Sequence, residues 1–152
     1  MSNLTYEVSV ALNGAALCVT LGGVHAYDAA LTDQKRLVEG VKQNGFKVLL
    51  MDYRPCRIMH ELEEYGRIAD SYCADLPEGL PIAFVFSPRQ AARVIFMTRR
   101  LEEAGRPAHG FSNVRSGLDW LQSCLDRQGE LGGAPDAAVQ AERARAHLRA
   151  VG

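Results

Sequence analysis

The sequence lacks a hydroxyl side chain at its most promising position. The stretch KVLLMDYRPC at 47–56 predicts a fully buried strand that runs into a turn and a helix, the place where open α/β folds usually display a working side chain. No serine or threonine occurs between Thr32 and Ser71. This absence excludes the commonest nucleophile and phosphoacceptor from that turn, and no other motif in the chain identifies a reaction or a cofactor.

An excess of charge, long apolar runs and paired cysteines are missing as well. Seventeen basic and eighteen acidic residues give a net charge of −1, so no global field attracts nucleic acid or an anionic membrane. No stretch reaches the ~18 apolar residues of a membrane span, and the N-terminus lacks the basic start and apolar run of a signal peptide. The four cysteines form no CxxC pair. We therefore expect a cytoplasmic protein with reduced thiols, no nucleic-acid partner and no integral membrane segment.

The sequence does contain segments whose hydrophobic period changes regularly between that of a strand and that of a helix. Alternating residues over 6–12, the Asn13-Gly14 pair and the stretch AALCVTLGG predict an opening hairpin. Strand patterns at 47–53, 80–88 and 108–113 then alternate with helical patterns that begin after Gly23, near Leu62, after Pro88 and at Val114. This order predicts an α/β domain with a mostly parallel five-stranded sheet.

The last part of the chain differs in character. GELGGAP reads as a linker, and Pro135-Asp136 starts a pattern in which alanines recur at helical spacing between arginines. We therefore assign residues 1–128 to one α/β domain and residues 129–152 to a linker and a C-terminal amphipathic helix. That helix is too weakly apolar to be stable without packing on the body or on a second subunit.

Several of these segments together resemble a known family. The hairpin, the buried strand that ends in Asp52, the strand IAFVFSP and the segment AGRPAHGFSNVRSGLDWL are similar to the STAS superfamily of anti-sigma factor antagonist-like domains, and above all to its stand-alone bacterial branch. The likeness covers about residues 4–125. It implies β-α turns stacked in sequence order, with the helices mainly on one face of the sheet.

The resemblance also has functional implications. Members that act in the sigma-factor switch are phosphorylated on a serine at the start of the helix after the third strand, but here the residues at 54–60 are RPCRIMH. We therefore assign the partner-switching role to no residue of this chain. The stand-alone branch is distantly similar to CRAL-TRIO lipid-binding domains, which implies a non-enzymatic binder of a small or lipidic molecule. We therefore predict a STAS-like binding or regulatory domain for a small anionic or lipidic ligand or for a protein partner.

One set of side chains favours a binding site. In an open parallel sheet, ligands bind beyond the carboxyl ends of the strands, and here those ends carry Arg54, Arg57, Ser87, Arg89, Asn113 and Arg115. We expect the three turns to be neighbours. Each opens a helix whose free N–H groups favour an anion, so a carboxylate or phosphate suits this edge. The simpler alternative is that these arginines are merely hydrated.

Two alternatives involve chemistry. A small enzyme could use Cys56 as a nucleophile, activated by nearby arginines, or Asp52 as a general base. More often such a thiol is inert, and such an aspartate caps a helix or pairs with an arginine. Cys56, His60 and Glu64 could also supply three metal ligands, although His60 and Glu64 are more simply part of a solvated helix face. We therefore predict no catalytic residue and no metal site.

The strand patterns also suggest self-association. The strands at 47–53 and 80–88 are apolar on both faces, whereas the resemblance implies that the first four helices cover only one. Leaving an apolar face exposed to water costs about 25 cal/mol of folding free energy per square ångström of apolar surface. Either the helix after Asp136 or a second subunit has to cover it. We predict a homodimer, and a purely scaffolding dimer is a third functional alternative.

Overall fold

The computed structural model describes residues 5–25, 27–58 and 61–128. Its strands are β1 (Thr5–Ala11), β2 (Ala16–His25), β3 (Val48–Asp52), β4 (Cys56–Ile58), β5 (Ile82–Val85) and β6 (Ala108–Phe111). Its helices are α1 (Tyr27–Asn44), α2 (Leu62–Asp75), α3 (Ala91–Glu103) and α4 (Val114–Arg127), and the 3₁₀ turn Pro88–Gln90 leads into α3. None of these helices is long and apolar enough to cross a lipid bilayer.

The strands form one sheet in the order β1-β2-β3-β5-β6. β1 runs antiparallel to β2, and the other neighbours along this path are parallel. The predicted α/β class, opening hairpin and mostly parallel sheet are therefore confirmed. The short strand β4 is a sixth member that the sequence pattern did not indicate, and it pairs with β2 alone.

The hairpin connection is longer than its sequence signal suggests. Asn13-Gly14 predicts a two-residue loop, but Ala11 pairs with Ala16 and the loop contains the four residues between them. Leu12, Asn13 and Gly14 all have positive φ angles, of 55°, 56° and 87°. Asn and Gly tolerate this conformation well, so the pair marks the correct position of the loop but not its length.

β2 changes its partner along its length. Ala16–Thr20 pair with β3, whereas Gly23–His25 pair with β4, which follows β3 after a short turn. At the start of the second segment Gly23 has a φ of 80°, in the left-handed region that favours glycine. The change of direction at Gly23 places Cys56 and Arg57 beside the end of β2. Arg57 thus lies in a strand, and not at the start of the helix that follows.

Three helices cover one face of the sheet. Strand residues such as Val19, Leu49 and Phe84 point into a core that also contains the apolar stripes of α1, α2 and α3. These stripes are formed by Leu37, Val38, Val41, Ile68, Tyr72, Val94, Met97 and Leu101. The prediction that the helices lie mainly on one face is confirmed by these three.

The fourth helix lies on the opposite face. Leu121 and Leu125 of α4 pack with Leu50, Ala83 and Val85, whose side chains point away from the first core. Our expectation that the first four helices share one face is therefore wrong. The amphipathic stripe of α4 fits either face, and burial of the apolar side chains on the second face stabilises this arrangement.

This placement removes the main argument for a homodimer. α4 covers the second face over β3, β5 and β6. Towards the edge of the sheet the same face becomes polar, because Glu7 and Ser9 of β1 are exposed opposite Thr20 and Cys18. No second subunit is needed to shield this face, and homodimer formation stays a prediction. The proposed C-terminal helix and its linker lie outside the described residues.

Candidate functional site

Four arginines line one cleft at the carboxyl ends of the central strands. The cleft has a volume of about 460 Å³. The described residues that line it are Gly23, Arg54, Pro55, Cys56, Arg57, Arg89, Gln90 and Arg93, and we refer to this site as the arginine cleft. These residues belong to three segments. The first is the end of β2, the second is the β3–β4 turn together with β4, and the third is the 3₁₀ turn with the first residues of α3. The strand order brings these three segments together, although up to 70 residues separate them.

Asp52 and Arg54 form the fixed wall of the arginine cleft. Arg54 Nε donates to Asp52 Oδ1 at 3.0 Å and Arg54 Nη2 donates to Asp52 Oδ2 at 2.8 Å. The Arg54 backbone N–H also donates to Asp52 Oδ1 at 3.0 Å. These hydrogen bonds raise the pKa of the Arg54 guanidinium. The pairing with an arginine that we considered for Asp52 is therefore present. Because Asp52 is also buried and both of its oxygens accept hydrogen bonds, the carboxylate is poorly placed to act as a general base.

Gln90 joins the two segments that carry the arginines. Its side chain is only 7% exposed. Its Nε2 donates to the carbonyl oxygens of Tyr53 at 2.8 Å and Cys56 at 2.9 Å, while its Oε1 accepts the Ser87 N–H at 3.1 Å. Because every atom of this amide is used for bonds to backbone, Gln90 fixes the β3–β4 turn against the start of α3.

The remaining arginines extend from these fixed segments into solvent. Arg57 and Arg89 are exposed, and neither is paired with a carboxylate of the described residues. Arg93 follows Arg89 by four residues, so both side chains lie on the same side of the helix start. Arg93 also lies near Tyr65 of α2, where its charge opposes the rise in the tyrosine pKa that burial causes. The open side of the cleft is therefore lined by the side chains of Arg57, Arg89 and Arg93.

The structure unites only part of the predicted set. Arg54, Arg57 and Arg89 line the arginine cleft, whereas Ser87, Asn113 and Arg115 do not. Ser87 donates its backbone N–H to Gln90 Oε1, and Asn113 caps α4 by accepting the Ser116 N–H at 2.8 Å. Since α4 packs on the opposite face of the sheet, the turn that carries Asn113 and Arg115 does not contribute to the cleft. Gln90 and Arg93 were missed because their positions read as part of a helix, although the four-residue spacing of Arg89 and Arg93 was a usable signal.

Cys56 is not activated as a nucleophile. The residue is buried, and this burial together with the negative charge of Asp52 raises the pKa of the thiol to about 12. A reactive cysteine needs the opposite shift, because the thiolate is the attacking species. The geometry thus disfavours the enzyme alternative at both Cys56 and Asp52.

We expect alkylation to reflect this difference between the cysteines. The raised pKa keeps the buried Cys56 thiol protonated at pH 8, whereas Cys73 is partly exposed. Peptide mass spectrometry after a short iodoacetamide treatment of the folded protein should show carbamidomethyl groups on Cys73 and almost none on Cys56. Preferential alkylation of Cys56 would restore the enzyme hypothesis.

The metal alternative receives no support from the described residues. The part of the chain that the structure describes contains no cluster of three or more histidine, cysteine, aspartate or glutamate side chains suited to a metal ion. Glu64 instead accepts the Glu61 N–H at 2.9 Å and thereby caps α2. His60, the other candidate ligand on this helix face, lies outside the described residues.

Comparison with solved structures identifies the fold. An anti-sigma factor antagonist from Mycobacterium paratuberculosis superposes with a TM-score of 0.58 at 13% sequence identity, over 79% of this chain and 95% of the other. The anti-sigma factor antagonist SpoIIAA in its unphosphorylated form gives a TM-score of 0.54 at 9% identity, over 78% and 98% of the two chains. No protein-family model matches the chain, and no curated protein matches its sequence. The STAS-like fold inferred from the sequence is confirmed.

Proposed function

We propose that this chain is a non-enzymatic, STAS-like regulatory domain that binds a small anionic ligand in the arginine cleft. The observation that carries the proposal is the convergence of Arg54, Arg57, Arg89 and Arg93 on one concave site. Guanidinium groups form bidentate hydrogen bonds with carboxylate and phosphate, and they stay charged at every physiological pH. The start of α3 lies at the same site and adds the positive end of a helix dipole.

The lining favours an anion over a lipid chain. Apart from Pro55 and Cys56, the described lining residues are glycine, glutamine and arginine, so they offer no aliphatic or aromatic wall. The absence of a hydroxyl between positions 54 and 60 supports a role that does not depend on phosphorylation of this turn. The ligand itself, and not a covalent modification of the turn, is then the regulatory signal.

Inorganic phosphate is the simplest probe of this proposal. Binding to the folded state raises the free energy of unfolding by RT ln(1 + [L]/Kd), about 2.7 kcal/mol at a hundredfold excess over Kd. Thermal denaturation of the full chain should therefore show a saturable rise in Tm with phosphate at constant ionic strength. Arg57→Ala with Arg89→Ala should abolish this rise.

Arg115→Ala is the matched control. It removes one exposed arginine that the sequence placed at the same edge but that does not line the cleft. This variant should retain the full increase in Tm. An equal loss in both variants would indicate a general charge effect, and no increase in the wild-type chain would refute the proposal.

A protein partner is a second candidate. Both solved structures of the same fold are described as anti-sigma factor antagonists, and two large apolar side chains, Leu62 on α2 and Ile95 on α3, are 53% and 44% exposed. Native mass spectrometry of the purified protein distinguishes the candidates. A small co-purified anion favours the first, whereas a stoichiometric second polypeptide favours the other.

A further inference from the structure

The arginine cleft is much larger than one phosphate or carboxylate group. Its volume of about 460 Å³ equals the share of roughly fifteen water molecules in the liquid. It also lies within the range of about 300–1,000 Å³ that is typical of sites for small molecules. A single anionic group fills only a small part of this space.

The arrangement of charge also favours a ligand with more than one anionic group. Arg54 is already paired with Asp52, whereas Arg57 and Arg89 have no carboxylate partner among the described residues. Arg57 belongs to β4, and Arg89 belongs to the 3₁₀ turn before α3. Because they stand on separate segments, each can form its own bidentate contact, and a ligand with two linked anionic groups can occupy both contacts at once.

The described lining contains no aromatic ring. A nucleotide base is normally held by stacking on an aromatic side chain or by apolar walls, and the described lining offers only Pro55 and Cys56 for an apolar wall. The charged part of the ligand therefore has to supply the recognition.

From these three observations we infer that the ligand is a compact polyanion with at least two linked phosphoryl groups, of the pyrophosphate type. This inference rests on the proposed function and specifies the chemical class of its ligand. One phosphoryl group is bound by Arg57 and the other by Arg89, with Arg54 held in place by Asp52 at the wall of the cleft.

Calorimetric titration of the full chain tests the inference. Phosphate, pyrophosphate, tripolyphosphate, ATP and citrate are compared at one ionic strength. Pyrophosphate and tripolyphosphate should bind at least tenfold more tightly than phosphate, the factor that one additional charge-assisted contact contributes. ATP should bind no more tightly than tripolyphosphate, and citrate more weakly than pyrophosphate.

Single substitutions locate the two contacts. Arg57→Ala and Arg89→Ala should each weaken pyrophosphate binding at least tenfold, and should reduce its advantage over phosphate, because the second phosphoryl group loses its partner. Arg115→Ala should bind pyrophosphate as the wild type does. Circular dichroism of each variant before titration shows that it is folded.

The outcomes separate this inference from the proposed function. Phosphate binding that depends on Arg57 and Arg89, with pyrophosphate less than tenfold tighter, would overturn the inference and leave the proposed function intact. ATP binding tighter than tripolyphosphate, or citrate binding at least as tightly as pyrophosphate, would also overturn it. If none of the five anions binds, both proposals fail.

Discussion

Replacement of Arg106 by methionine should lower the free energy of unfolding by about 3–5 kcal/mol. Arg106 is only 4% exposed and has no acidic partner among the described residues. Its guanidinium instead donates to four backbone carbonyl oxygens, those of Tyr72, Leu76, Pro77 and Leu80, at distances of 2.9–3.3 Å. Methionine fills a similar volume but removes this donor from all four oxygens, and among the described residues only those of Tyr72 and Pro77 then keep a backbone donor, the N–H groups of Leu76 and Leu80.

The size of the effect follows from the position of Arg106 in the fold. Leu76 is the C-cap residue of α2, so its carbonyl oxygen has no partner within the helix, and a positive charge is favourable at this helix end, where the Tyr72 carbonyl oxygen also lies. Pro77 and Leu80 belong to the connection from α2 to β5, so the same side chain holds this connection in place. Arg106→Lys should also be strongly destabilising, because an ammonium group cannot reproduce the planar fork.

Urea denaturation followed by circular dichroism measures this effect. Arg99→Met is the matched control, since Arg99 lies on the exposed side of α3, and its free energy of unfolding should stay within about 0.5 kcal/mol of the wild type. If Arg106→Met were as stable as Arg99→Met, the four-carbonyl clamp would not contribute to stability.

Gln90→Leu is the second substitution with a large expected effect, and it acts on both stability and binding. The variant removes the donor to the Tyr53 and Cys56 carbonyl oxygens and the acceptor of the Ser87 N–H. We expect a loss of about 2–4 kcal/mol in the free energy of unfolding, because three backbone groups lose the partner that Gln90 supplies, although the Tyr53 carbonyl oxygen still accepts the Cys56 N–H. Gln43→Leu, on an exposed position of α1, should change it little.

The binding effect distinguishes a positioning role for Gln90 from a purely structural one. Gln90→Leu removes no guanidinium, yet it releases the β3–β4 turn from the start of α3, so Arg57 and Arg89 lose their fixed separation. Phosphate affinity, measured at a temperature at which the variant is fully folded, should fall severalfold. Unchanged affinity in a destabilised but folded variant would show that Gln90 does not position the arginines.

Most of the fold follows from patterns that extend over several residues. The alternating strand β1, the apolar strands β3 and β5 and the amphipathic helices each repeat a period often enough to be recognised. β4 was not recognised, because Cys56–Ile58 is too short for a period and includes a charged residue. The face that α4 covers was also not predictable from its own stripe, since Leu121 and Leu125 suit either side of the sheet.

The candidate site was predictable only where it depends on strand ends. Arg54, Arg57 and Arg89 follow from the rule that parallel strands bring their carboxyl ends to one edge. The same rule predicts Arg115 at this site, but Arg115 does not line the cleft. The rule takes no account of the position of α4, which packs on the other face of the sheet. The role of Gln90 depends on contacts with residues 34 and 37 positions away, which no local pattern encodes.

Binding of an anion in the arginine cleft can be measured directly at the guanidinium groups. The ¹⁵N-labelled chain is titrated with inorganic phosphate at constant ionic strength, and the arginine Nε–Hε signals are followed in NMR spectra. We expect the signals of Arg57 and Arg89 to shift and saturate with one common Kd, while those of Arg99 and Arg115 stay in place. The absence of saturable shifts at Arg57 and Arg89, or equal shifts at all four arginines, would contradict the claim.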